Sequence, residues 1–167
     1  GSGSPSLPRV VYGIPEGTPA HPASAIPASG AFTARVTAVD GDTLAAGGAR
    51  LRLHGVDAPE SAQTCRRRGG DYPCGAEARR AMAAILRDGV VSCRTLDTDR
   101  YGRRVVRCRN AQGLDIGAEL VRQGWAVAFI RFSTDYATQE TEARAAGRGL
   151  WEGRFEAPSD WRARHRP

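Results

Sequence analysis

The sequence predicts an α+β chain, mainly β, built as a small five-stranded barrel with three helices on its flanks. Three observations carry that expectation. Alternating apolar and polar runs such as "FTARVTAV" and "ARLRLHGV" follow one another across short glycine-containing turns, as the strands of a meander do. One longer segment, "GAEARRAMAAILRDG", instead repeats its apolar residues at helical spacing. At 167 residues the chain has room for one domain with a proper core and would be cramped as two.

The elements follow in order. Residues 1–30 are rich in Pro, Ser, Ala and Gly. The opening "GSGS" reads as an expression scar and the remainder as a linker or loosely packed arm, with no signal peptide visible. Residues 31–155 form the domain and 156–167 a C-terminal tail. "FTARVTAV" is the first strand, Asp40-Gly41 a hairpin turn, "DTLAA" the second strand, Gly47-Gly48 a turn, and "ARLRLHGV" the third. Ala76, Met82, Ile85 and Leu86 mark the first helix, with Gly89 as its stop. "VVSCRTL" and "RRVVRC" form a hairpin about "DRYG". Asp115 can cap a short helix ending at Gly124, "WAVAFIRF" is a strand or extended segment, and Ser133 or Thr134 can cap a last helix in "STDYATQETEARAAGRG". Meandering strands followed by mixed elements point to a barrel of the OB type.

The four cysteines, Cys65, Cys74, Cys93 and Cys108, lack the spacing of a zinc knuckle. If the hairpin loop is Asp99 to Gly102, Thr98 faces Arg103, and counting outward sets Cys93 opposite Cys108. A cross-strand disulfide follows, leaving Cys65 and Cys74 to close "CRRRGGDYPC". Each bridge contributes about 2–3 kcal/mol by loop-closure entropy. Disulfides imply an oxidising compartment, so the expected location is secreted or periplasmic. No apolar run approaches the roughly 20 residues of a membrane-spanning helix.

All 24 basic residues are arginine, and the net charge is +6. Arginine's planar fork suits phosphate, which favours a polyanionic partner; a base-composition bias against lysine explains the same count without any ligand.

The stretch "LRLHGVDAPE" carries the densest chemistry. Alternation puts Leu51 and Leu53 on one face and Arg52 and His54 on the other, so Arg52 lies outside the core or lines a cleft at its edge. Pro59 fixes its own φ and biases Ala58 to an extended shape, which holds Asp57 and Glu60 in a defined relation. Read alone, this is either a rigid loop of solvated charges or half of a site for a metal and a phosphate. Asp40-Gly41-Asp42 alone is a turn, and it does not begin a calcium hand, because Leu51 stands where the bidentate glutamate belongs. In "DRYGR", Gly102 can take positive φ, leaving Arg103 either a surface residue or a phosphate contact. Nothing near His54 asks for an imidazole.

Taken together and in order, "VDGDTL", "RLHGVDAPE", "GAEA", "DRYGRR", "LVRQGWA" and "EARAAGRGLW" closely resemble the staphylococcal nuclease, or thermonuclease, family over about Thr33 to Trp151. The resemblance implies an SNase-like OB barrel with three helices and a Ca²⁺-dependent, sugar-nonspecific phosphodiesterase that cuts DNA and RNA, leaving 3′-phosphates and 5′-hydroxyls. It implies metal ligands at Asp42, Asp57 and the backbone carbonyl of Ala58, a position often threonine in the family. It places the catalytic glutamate at Glu60 and the phosphate-binding arginines at Arg52 and Arg103. Near the nucleotide it implies Arg100 and Tyr101, with Phe132 close to a family tyrosine and Tyr136 able to supply the missing hydroxyl.

The chain departs most from the family between Ser61 and Cys74, where Arg66, Arg67 and Arg68 either contact the substrate backbone or form a solvated loop. The partners implied are nucleic acids, with no membrane and no obligate protein partner, for a monomer. Two other classes compete: a nucleic-acid-binding OB module without turnover, and a disulfide-stabilised envelope domain that binds acidic glycans or lipids. The complete set of Asp42, Arg52, Asp57, Glu60 and Arg103 favours the enzyme.

Overall fold

The run "FTARVTAV" forms one strand broken by a bend at buried Val36, and that bend organises the sheet. A computed structural model describes residues 26–131 and 133–166; the expected N-terminal arm up to residue 25 lies outside them. On one side of the bend, β1 (Gly30–Arg35) pairs antiparallel with β8 (Val90–Thr98), Phe32 facing Cys93. On the other, β2 (Thr37–Ala38) pairs with β3 (Thr43–Ala46). β4 (Ala49–Leu53) lies antiparallel to β3 and parallel to β9 (Arg104–Arg109), giving the order β1-β8-β9-β4-β3-β2. Since both edge strands belong to one bent segment, the six-stranded sheet curls into the half-barrel of an SNase-like OB fold.

Alternation fills the interior. Leu44, Leu51, Leu53, Val91 and Val106 point inward. Helix α1 (Cys74–Leu86) brings Met82, Ile85 and Leu86, and α2 (Ile116–Arg122) brings Ile116, Leu120 and Val121 to the same core. Each fully buried side chain of this size contributes about 1.5–3 kcal/mol. Asp115 caps α2, accepting from the Ala118 N–H at 3.0 Å, as its sequence position predicts. α1 stops through Arg87 (φ 60°) and Gly89 (φ 87°), whose N–H donates to the Leu86 carbonyl. Helix α3 (Ala137–Ala146) starts later than expected. Ser133 Oγ accepts from the Asp135 N–H, and the Thr134 carbonyl accepts from Ala137, so these residues make a turn instead of capping a helix. Gly147, in the left-handed region, ends α3.

Two further features differ from the sequence reading, and one alternative it left open is resolved. Among the described residues of "WAVAFIRF", Val127–Ala128 form a short strand, β10, which pairs with β5 (Val56–Asp57). The expected polar loop between Cys65 and Cys74 is a hairpin of β6 (Cys65–Arg67) and β7 (Gly70–Tyr72), turned by Gly69 and Gly70 at positive φ. The segment read as a tail contains a fourth helix, α4 (Pro158–Arg164), opened by proline at its first turn. Both expected disulfides are present, Cys65–Cys74 and Cys93–Cys108.

The hairpin builds a second, smaller core. Cys65, Tyr72, Cys74 and Leu150 bury one another, with Trp125 and Phe155 against them. Arg66 and Arg154 exchange backbone hydrogen bonds of 2.8 and 2.7 Å, binding the chain beyond the 3-10 turn Gly149–Glu152 to the hairpin.

Candidate active site

A cleft of about 710 Å³ opens on the face of the barrel where β4 ends, and Asp42, Arg52, Glu60, Arg100 and Arg103 line it. The local folding of "LRLHGVDAPE" explains how its acids arrive there. Leu51 and Leu53 anchor β4 in the core while Arg52 and His54 face the cleft. Gly55 then takes φ 76°, ending β4 and letting Val56 and Asp57 pair with β10. This puts Asp57, 2% exposed, beneath the cleft wall and Glu60 at its edge.

Asp42 reaches the same place from the turn before β3. It is 5% exposed; Oδ1 accepts from Thr43 Oγ1 at 3.0 Å and Oδ2 from the Ala58 N–H at 2.8 Å. The Ala58 backbone is thereby pinned against Asp42. Arg52 joins the two aspartates, with Nη2 3.6 Å from Asp42 Oδ2 and 3.3 Å from Asp57 Oδ1. Its Nη1 donates to the Leu53 carbonyl at 2.8 Å.

Arg103 is set by its own turn. Asp99 accepts from the Tyr101 and Arg103 N–H groups, each at 2.9 Å, and from Arg103 Nε at 2.7 Å. Burial alone would raise the Asp99 pKa, but the bonds from Arg103 and Tyr101 outweigh it and hold it below the ordinary value. The guanidinium of Arg103 also lies 5.7 Å from the centre of the Tyr101 ring, and its terminal nitrogens make no hydrogen bond or ion pair among the described residues, leaving the fork for an anion. Arg100 sits over the ring of Tyr101, which is 70% exposed.

Sequence reasoning missed two residues. From α4, Arg162 Nη1 lies 2.9 Å from Asp57 Oδ1 and 3.1 Å from Glu60 Oε2, and Nη2 lies 3.2 Å from Asp57 Oδ2. An arginine beyond the last motif, in a segment read as a tail, carried no signal of this. Gln63, 1% exposed, accepts from the Glu60 N–H at 3.2 Å and donates to the Glu156 carbonyl at 2.9 Å. It stands in "SAQT", between the quoted motifs, where its sequence context carries no signal. Burial pushes the carboxyls of both Asp57 and Glu60 above their ordinary range, and bonding to Arg162 offsets only part of that.

Other expected residues fall elsewhere. Tyr136 is 2% exposed, and its hydroxyl donates to the Asp115 carboxylate at 2.9 Å; its ring fills the space beside Gly55 and Gly117. Its observed role is packing and hydrogen bonding inside the fold, which corrects the suggestion that it offers a hydroxyl to a nucleotide. Arg66 pairs with Asp71, and Arg67 with Glu77 and the face of Tyr72; neither lines the cleft. Arg68 is exposed, with no ion pair among the described residues. Phe132 lies outside the described residues. His54 Nε2 stands 3.2 Å from Asp135 Oδ2.

Residues 50–153 match the family model described as staphylococcal nuclease homologue. The chain is 38% identical over 128 residues to the succinoglycan biosynthesis protein ExoI of Rhizobium meliloti (strain 1021), covering 73% of this chain and 65% of that protein. It is 36% identical over 118 residues to a probable staphylococcal-like nuclease, CAN2, of Oryza sativa subsp. japonica, covering 68% of this chain and 29% of the rice protein. An uncharacterized endonuclease of Escherichia coli O157:H7 is 31% identical over 137 residues, covering 78% of this chain and 83% of its own length. The chain thus spans under two thirds of the first two relatives and most of the third.

Proposed function

The chain belongs to the family of staphylococcal nuclease homologues, and from that membership we propose that it is a Ca²⁺-dependent phosphodiesterase cutting DNA and RNA. Relatives named as nucleases support the general activity. The observation that carries the reading here is the convergence of Asp42, Arg52, Glu60 and Arg103 on one cleft, with Asp57 directly behind Arg52.

The donor set fits a hard cation. Asp42 and Asp57 are buried carboxylates that share Arg52, and Ala58 is fastened to Asp42, so its backbone carbonyl is a reasonable third ligand. Among the described residues there is no cluster of three or more His, Cys, Asp or Glu side chains arranged for a metal. Two carboxylates completed by a carbonyl and water suit Ca²⁺, which accepts irregular oxygen shells, better than zinc. When bound there, Ca²⁺ would supply positive charge against the scissile phosphate.

This chain's own residues do the rest. Arg103 offers its fork to the phosphate from one wall and Arg52 approaches from the other, meeting the charge that grows on the equatorial oxygens. Glu60, with its backbone fixed by Gln63, orients the attacking water and accepts its proton. Arg100 and exposed Tyr101 are proposed to contact the nucleotide, and Arg68 to touch the flanking backbone. The products would be 3′-phosphates and 5′-hydroxyls. The two disulfides suggest maturation in an oxidising compartment, and secretion or export to a periplasm is proposed on that ground.

The test is incubation of purified protein with plasmid and with RNA, in Ca²⁺ or chelator, beside Glu60→Gln. The expected outcome is Ca²⁺-dependent cleavage of both by the parent and a fall of about 10²- to 10⁴-fold in the variant with binding retained. Gel retardation by both proteins without cleavage would replace the enzyme by a binding module.

A further inference from the structure

Arg162 brings a guanidinium from α4 onto both oxygens of Asp57, which the calcium reading gives to the metal, and onto Glu60, which it gives to the attacking water. We propose that Arg162 is a built-in competitor for the cation site: Arg162 of α4 and a divalent cation bind Asp57 in mutually exclusive ways, and cation binding releases the helix from Asp57 and from Glu60 beside it. The identity of the cation rests on the calcium reading above.

The geometry leaves little room for both. Arg162 meets both oxygens of Asp57 in the two-pronged manner, at 2.9 and 3.2 Å, and extends Nη1 to Glu60 at 3.1 Å. Arg52 already takes Asp57 Oδ1 at 3.3 Å. A carboxylate offers about four lone-pair sites, so three are engaged. A hard cation needs contacts of about 2.3–2.6 Å to such oxygens. It would then stand beside a second positive group on the same carboxylate, in a site where burial weakens screening. Charge balance also favours exchange: Asp42, Asp57 and Glu60 carry three negative charges, against which Arg52 and Arg162 supply two positive ones.

The helix is attached in a way that permits release. Its base is held where Gln63, buried, donates to the Glu156 carbonyl and where Pro158 is buried. Beyond the base, α4 is one short helix of seven residues, closed by the surface pair of Arg164 with Glu156, both bonds 2.8 Å. Its separation from the acids would cost the Arg162 contacts and leave the barrel intact. The amide that holds the base also accepts from the Glu60 N–H, so the helix and the catalytic loop share one anchor.

The test measures Ca²⁺ binding by calorimetry on chelator-stripped protein, for the parent, Arg162→Ala and Arg164→Ala, together with hydrogen exchange of residues 156–166. Competition predicts that Arg162→Ala tightens Ca²⁺ binding by about tenfold or more, within the usual range of coupling between linked sites. Arg164→Ala, which keeps Arg162 and loosens the helix, should tighten binding by a smaller factor, about two- to threefold. Exchange in α4 should accelerate when Ca²⁺ is added to the parent and be fast with or without Ca²⁺ in Arg162→Ala. Equal or weaker Ca²⁺ affinity in both variants, or α4 protection that stays constant or rises with Ca²⁺ in the parent, overturns the competition while leaving the calcium site standing. Absence of Ca²⁺ binding by all three proteins overturns the calcium reading and the competition with it.

Discussion

A methyl group added at Gly75 would lie 1.9 Å from the Glu60 carbonyl oxygen and 2.8 Å from that of Ser61. No shift of a flexible side chain relieves that clash, because the obstacle is backbone. Gly75 opens α1 in the "GAEA" motif, so its value is to let the helix support the loop that carries Glu60. Gly75→Ala should lower stability by about 1–3 kcal/mol through overpacking and, by moving Glu60 on the order of 1 Å, reduce turnover by about 10²-fold. Thermal unfolding and initial rates on plasmid check this; full activity would show that the loop position is unimportant. Gly41 acts similarly for the other acid. Its Cβ would meet the Cβ atoms of Ala58 at 2.7 Å and of Ala78 at 3.0 Å. The "DGD" glycine, which reads as a turn former, is needed for the close approach that lets Asp42 reach the Ala58 N–H.

At the scale of elements, the β8–β9 hairpin shows how a right answer can arise from two compensating details. The disulfide register, Cys93 facing Cys108, agrees with the count from sequence. The turn itself is one residue longer: Thr98 faces Arg104 instead of Arg103, and Asp99 bonds to the Arg103 carbonyl at 2.9 Å. An irregularity between Thr95 and Asp97 absorbs the extra residue and leaves Leu96 half-exposed on the cleft wall. Asp99 holds this turn and Arg103 together. Its folded pKa is depressed, so its stabilising effect is present above the unfolded value of about 3.9 and is lost as pH falls through the lower folded value. Asp99→Asn should therefore cost about 1 kcal/mol at neutral pH, and that gap should shrink on acidification through this window. Denaturant titrations of both proteins from pH 7 to pH 2 check the sign, and a gap that widens on acidification would contradict it.

At the scale of the whole molecule, the hairpin closed by Cys65–Cys74 is a bracket for the C-terminal segment. Removing it as Cys65→Ala/Cys74→Ala should cost about 2.5 kcal/mol for its short loop. The same change should raise hydrogen exchange in residues 149–166 more than in the barrel strands, because Arg154 and Leu150 rest on that hairpin. Uniform loss of protection across the chain would contradict the bracket. The abundance of arginine also resolves at this scale. Many arginines are balanced by neighbouring acids, as in Arg66–Asp71, Arg107–Asp115 and Arg148–Glu142, so overall charge alone does not locate the substrate. Arg100 and Arg103 differ in lining the cleft beside the acids.

Local pattern by itself determined the β-rich meander, the first helix, the Asp115 cap and both disulfides, because periodicity, turn residues and strand register are properties of near neighbours. The motif order determined the family and the five charged residues that meet in or against one cleft. Only the tertiary structure decided what depends on distant partners: that Tyr136 is buried on Asp115, that the arginine loop is a hairpin bracing the C-terminus, and that Arg162 closes on Asp57 across 105 residues of chain. A side chain's role there is set by which surfaces the fold presses together. That information resides in the packing of the whole chain and leaves no trace in the spacing of "PSDWRAR".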